Sequence, residues 1–177
     1  LLLYWIATPA WAQNCPEAPD HNQALEQLIQ DVQLAPSEMS ARLIANEMWT
    51  YWADAPDQHA QELLDEGMER RKAYDYKGAL VALNALVDYC PDYAEGFNQR
   101  AFVNFLRQDY ETALPDLERA IALSPNHVAA LAGQTLTLVA LERNGEAALV
   151  LRRALRLNPW LSERRLLPAL EATEQEL

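Results

Sequence analysis

The sequence predicts an all-α fold in which one short helical unit is repeated and stacked. Three observations carry that prediction. The chain matches itself when shifted by 34 residues. Prolines close the matching blocks at that same interval, as they do where a helix must stop. Half of the 177 residues are hydrophobic, enough for a continuous core, and only five are glycine against abundant Ala and Leu, a balance that favours helix.

The self-match gives three ungapped units, 60–93, 94–127 and 128–161. Ala79, Ala113 and Ala147 align, as do Leu83, Leu117 and Leu151. Leu86, Ala120 and Ala154 follow, then Tyr89, Leu123 and Leu157, and Pro91, Pro125 and Pro159 close the units. A period of this length signals supersecondary units that bury their apolar faces against one another.

These columns resemble the tetratricopeptide repeat family. The resemblance implies a right-handed superhelical stack of antiparallel helix pairs, capped by further helices at both ends. Gly67 and Ala101 then sit midway in first helices and Ala79, Ala113 and Ala147 in second helices, where small side chains let the pair approach. Leu63, Phe97 and Leu131 fill the space between the helices, and Tyr76 and Tyr110 pack at the turns. Asn144-Gly145 reads as the turn of the third unit. The sequence departs from the family pattern late in the first helices, where only Leu138 of Arg70, Asn104 and Leu138 is apolar.

The flanks continue the helical pattern. Leu25, Leu28, Ile29 and Val32 form a stripe within 22–34, and Pro36-Ser37 breaks it. Ser37 or Ser40 can cap a second helix over 38–54, with Ala41, Ile44, Met48, Trp49 and Trp52 on one face. The region 13–59 thus reads as a tail plus a capping pair that covers the first unit. Trp49, Tyr51 and Trp52 are read as core, with a ligand platform as the other reading. Residues 162–177 are expected to form a closing helix, with Pro168 kinking it or starting a new turn.

At the start, the apolar run Leu1–Ala7, the break at Thr8-Pro9 and Ala10-Trp11-Ala12 read as the end of a secretory signal, 1–12, removed before Gln13. A retained membrane anchor is the alternative. Export, periplasmic or secreted, implies an oxidising compartment, in which Cys15 and Cys90 are expected to pair; two unpaired thiols are the other possibility.

A formal net charge of −12 excludes a phosphate-binding face for nucleic acid. No Gly-rich phosphate loop, nucleophile elbow or His-rich metal motif is present, and His21, His59 and His127 lie far apart. No catalytic activity, small-molecule substrate, cofactor or metal is expected. The family resemblance implies instead a protein-binding scaffold with first helices lining a concave groove. It nominates Met68, Arg71 and Lys72 from the first unit, Asn98, Gln99, Phe102 and Phe105 from the second, and Leu136 and Val139 from the third. Leu64 and Glu95 fall on the same face. Such a groove runs from polar to apolar and suits a peptide or helix; self-association through the third unit, or the C-terminal segment folding back to fill the apolar part, are the competing readings.

Overall fold

The computed structural model describes residues 15–174, so the expected leader over 1–12 lies outside the described residues. Helices α1 (Asn22–Gln33) and α2 (Glu38–Trp52) form an N-terminal hairpin. Three helix pairs follow: α3 (Gln58–Lys72) with α4 (Tyr76–Tyr89), α5 (Ala94–Leu106) with α6 (Tyr110–Leu123), and α7 (Val128–Ala140) with α8 (Asn144–Leu157). A 3-10 turn over Ser162–Leu166 leads into α9 (Leu167–Glu174), which places Pro168 in a first helical turn, where its missing N–H costs nothing.

Helix starts follow from short polar side chains that satisfy orphan backbone donors. Ser37 accepts the Ser40 N–H, Asp57 the Ala60 N–H and Asp75 the Gly78 N–H. Asp57 also accepts the Tyr89 hydroxyl, and the two bonds hold its carboxyl below the ordinary range. Within each pair the turn is made by a left-handed residue, Tyr74, Gln108 or Glu142, with φ of 61°, 62° and 60°. The next residue donates its N–H back across the turn, from Asp75 to the Arg70 carbonyl, Asp109 to Asn104 and Arg143 to Leu138, each at 2.9 Å. Asn144-Gly145 is therefore not the third turn; it opens α8, and Glu142 makes the bend.

The pairs lock together through the repeated small residues. Ala79, Ala101, Ala113, Ala120, Ala147 and Ala154 have no exposed surface. A Cβ on Gly67 would meet Leu83 Cγ at 2.6 Å, so α3 and α4 reach this separation only because residue 67 lacks one. Successive units are also tied by a second periodic device: Arg119 of α6 reaches the Pro91 carbonyl after α4, and Arg153 of α8, 34 positions on, reaches the Pro125 carbonyl after α6. In the second pair, Arg100 grips Asp116 with two bonds of 2.7 and 2.6 Å.

The N-terminal hairpin departs from expectation. It does not stack on α3 as a further unit covering the first repeat; it packs along the edge where the inter-unit loops gather, and α1 lies against α8. Leu28, Ile29, Val32, Met48 and Trp52 bury with Val128, and Leu157, Trp160 and Leu161 pack on them. Polar ties secure the placement: Gln33 donates to the Arg156 carbonyl at 2.7 Å, Arg164 meets Glu38 at 3.1 Å, and the buried Tyr93 hydroxyl donates to the Trp52 carbonyl at 2.8 Å. The physical reason is composition. The outward face of α3 carries Glu62, Glu66, Glu69 and Arg70, whereas the third unit offers an apolar edge to an apolar stripe. Upstream of α1, Cys15 and Cys90 are joined by a disulfide with Cα atoms 5.1 Å apart, which places the 15–21 segment on the first core cluster.

Candidate functional site

Helices α3, α5 and α7 lie side by side and form the inner face of the stack. On that face is a cavity of about 470 Å³, within the roughly 300–1,000 Å³ of sites that hold ligands. From α5 come Asn98, Gln99, Phe102 and Phe105; from α7 come Ala129, Ala132, Gly133, Leu136 and Thr137. Phe102 and Leu136 occupy equivalent repeat positions, so the period itself aims both inward. A Cβ on Gly133 would sit 3.0 Å from Leu117 Cδ2, and the bare backbone there keeps this part of the wall shallow. Arg71 enters from α3, Trp49 from α2, and Leu161, Ser162 and Glu163 close the far end.

Arg71, Asn98, Gln99, Phe102, Phe105 and Leu136 of the nominated groove residues thus line one cavity. Three do not. Met68, at the position equivalent to Phe102, is buried with Leu64, Leu83 and Val103, because that edge of α3 is taken up by packing against α5. Leu64 is buried there too, with no exposure. Lys72 points to solvent and pairs with Glu69 at 2.6 Å. Val139 joins the cluster of Leu138, Leu151 and Leu170, since no fourth pair follows α7 and the C-terminal segment takes that face. The described part of that segment, 162–174, packs on α8 and borders the cavity without filling it.

The polar end of the cavity is organised by a residue that the groove pattern placed on an open surface. Glu95 is 1 % exposed. Its carboxylate accepts from Asn98 Nδ2 at 3.0 Å, from Gln99 Nε2 at 2.5 Å and from His127 Nε2 at 2.8 Å. His127 Nδ1 accepts the Ala130 N–H at the start of α7, so the ring proton sits on Nε2 and points at Glu95. Trp52 of α2 stacks on the imidazole, ring centroids 4.2 Å apart and 12° from parallel, and seals the network from above. Arg71 holds its guanidinium 4.4 Å over the Phe102 ring, and its Nε has no hydrogen-bond partner. Burial lowers the Arg71 pKa and the Glu95 charge opposes that shift. Gln99 Oε1 is buried and also without a partner.

A second depression, of about 860 Å³, lies beside Cys15 and His21 and the loops at Cys90–Tyr93 and Leu123–His127. Its charged lining is mainly acidic, Glu17, Asp20, Asp54, Asp88, Asp92 and Glu95, and Trp52 and His127 of the buried network also border it. Among the described residues, no group of three or more His, Cys, Asp or Glu side chains is placed to hold a metal ion. No described helix is long and apolar enough to cross a membrane.

Comparison with known proteins places this geometry. The first TPR domain of Spaghetti, solved with an HSP90 peptide, superposes with a TM-score of 0.64 at 24% identity, covering 67% of this chain and 94% of that one. MamA 41-end from Desulfovibrio magneticus RS-1 superposes with a TM-score of 0.60 at 16% identity, over 90% and 88% of the two chains. The chain has the tetratricopeptide-repeat fold.

In sequence, the chain is similar to a TPR repeat-containing protein of Rhizobium etli, 30% identical over 132 residues, which are 71% of this chain and 61% of that protein. It is also similar to a tetratricopeptide repeat protein 36 homolog of Nematostella vectensis, 42% identical over 73 residues, 41% of this chain and 40% of that protein. The chain thus spans about three-fifths and two-fifths of these relatives. No protein-family model matches it. Relative to the tetratricopeptide-repeat pattern, the sequence left the Leu161–Glu163 stretch of the wall unmarked. Trp49 was offered only through the less favoured reading of the aromatic cluster 49–52 as a ligand platform, core packing being preferred. Trp52 is core, whereas Trp49 is 38% exposed and lines the cavity.

Proposed function

We propose that the protein is a non-catalytic scaffold that binds a peptide or helical segment of another protein in its inner groove. The observation that carries this reading is the walled cavity itself, in which aromatic and small apolar side chains from successive repeats converge beside a few polar groups. Phe102 and Phe105 are anchors of the kind that dominate binding energies, and Ala129, Ala132 and Gly133 admit close approach of a backbone. The comparisons support it, since a protein of the same fold was solved with a peptide bound.

The test is a peptide-library selection against the full chain, repeated with the double substitution Phe102→Ala and Leu136→Arg. Both side chains are at the cavity surface, with Phe102 41% exposed, so helicity is expected to persist while binding drops below detection. Peptides that bind the double variant as well as the parent would defeat the reading.

We further infer that the protein works in an oxidising compartment, periplasmic or secreted, after a leader is removed before Gln13. The support is the Cys15–Cys90 bridge, which a reducing cytosol would keep open. Protein isolated from its source after thiol blocking is expected to carry no label on either cysteine and to begin at Gln13. Labelled cysteines would count against the compartment, and a longer amino terminus against the cleavage.

A further inference from the structure

We infer that the groove takes an internal, uncharged stretch of a partner chain through its backbone amides, and disfavours a chain-terminal carboxylate. This rests on the peptide-groove reading above and specifies its ligand.

The inference comes from the direction in which Glu95 forces two amides to face. A carboxylate only accepts hydrogen bonds, so Asn98 and Gln99 must turn their NH₂ groups toward it. Both amide nitrogens are committed inside the protein, and the acceptor oxygens are left for whatever enters. Gln99 shows the result directly. The residue is 4 % exposed, lines the cavity, and its Oε1 has no partner. A buried acceptor of this kind is costly to leave unmade and calls for an N–H from the ligand.

Arg71 supplies the complementary donor. Its Nε is unpartnered in the same cavity, with the guanidinium held flat over Phe102. The donor and the acceptor both sit just under the lining, and a small turn of either side chain would bring it to a backbone C=O or N–H of the ligand. The charge balance points the same way. Among the described residues, Arg71 is the one cationic side chain in the lining and Glu163 the one carboxylate; Glu95, behind the lining, acts on Arg71 through its charge, so the surrounding charge is negative. A terminal carboxylate would meet amide oxygens and the Glu163 carboxylate, and would compete with the buried Glu95 for the one guanidinium. An uncharged backbone meets a partner for each of its groups, and the apolar remainder of the cavity suits small or aliphatic side chains.

The test varies the ligand, so the folding of a variant does not enter. Short random peptides are selected against the full chain from two matched synthetic pools, both N-acetylated, one ending in an amide and one in a free carboxylate. Trimming each binder residue by residue until affinity falls identifies the end that lies in the groove. The expected result is uncharged, apolar binders from the amide pool, with a free carboxylate at the groove-bound end weakening them about ten-fold. Binders confined to the carboxylate pool, or a trimmed carboxylate that changes affinity less than about two-fold or tightens it, would overturn the inference. If such binders were still lost with Phe102→Ala/Leu136→Arg, the groove reading would stand. No binder from either pool, or binders indifferent to that double substitution, would remove the groove reading and this inference together.

Discussion

Replacing Glu95 with alanine is expected to destabilise the protein by about 1–3 kcal/mol for each buried donor it leaves unsatisfied. The side chain is inaccessible, and three donors converge on it. His127 has no exposure, Gln99 is 4 % exposed and Asn98 8%, so none can turn to bulk water without local rearrangement. The alanine variant leaves all three donors unpaired and opens a void beneath Trp52. Glu95→Gln keeps the volume but swaps one acceptor oxygen for an NH₂, which opposes a donor already present. It is expected to fall between the parent and the alanine variant. Urea unfolding followed by circular dichroism measures both. A loss below about 1 kcal/mol for Glu95→Ala would mean that water already satisfies these donors and that the network does not organise the groove. The same substitution also frees the amides of Asn98 and Gln99 to flip, so ligand preference should relax with it.

Opening the Cys15–Cys90 bridge is the second large effect. The bridge spans 75 positions, and a closed loop of that length restricts the unfolded chain by about 4 kcal/mol on the chain-entropy model. Cys15→Ser is the cleaner variant, because Cys90 is 1 % exposed in the first core cluster, whereas Cys15 packs at its margin. The expected loss corresponds to a fall in melting temperature of roughly 8–16 °C for a chain of this size. Reducing agent should lower the parent to the level of the variant and leave the variant unchanged. A parent that melts equally in both conditions would show that contacts of the 15–21 segment, among them His21 with Asp54 at 2.7 Å, hold it without the bond. The two substitutions act at opposite ends of one arrangement: the bridge anchors the strand leading into α1, and the Glu95 network lies under the end of α2. Their effects are therefore not expected to add independently.

The stacked repeats were legible in the sequence because everything that builds them is local and periodic. The alanines at 79, 113 and 147 need only the helix partner in the same unit, and Pro91, Pro125 and Pro159 act on their own helices. Contacts between adjacent units repeat with the same interval, so one set of columns specifies all of them. Phe102, Phe105 and Leu136 were assigned to the inner face by carrying the family's geometry onto these repeat positions. The same rule placed Met68, Lys72 and Val139 there, where it fails, because the first and last units lack a neighbour on one side and their faces are used otherwise.

What periodicity by itself determined, then, was the all-helical stack and its unit; the inner face was implied by the family resemblance. Only the tertiary structure decided where the unrepeated ends go. The hairpin is tied to the far end of the chain by Gln33 with Arg156 and Glu38 with Arg164, pairs separated by 123 and 126 positions that occur once each. No repeating pattern encodes a contact made once between two non-equivalent surfaces. That docking puts Trp52 over His127, helps bury Glu95 and adds Trp49 to the wall of a cavity that stays open on one side. The identity of each residue was visible from the start, but its burial, and with it the strength and direction of its hydrogen bonds, depends on a long-range fit of apolar surfaces.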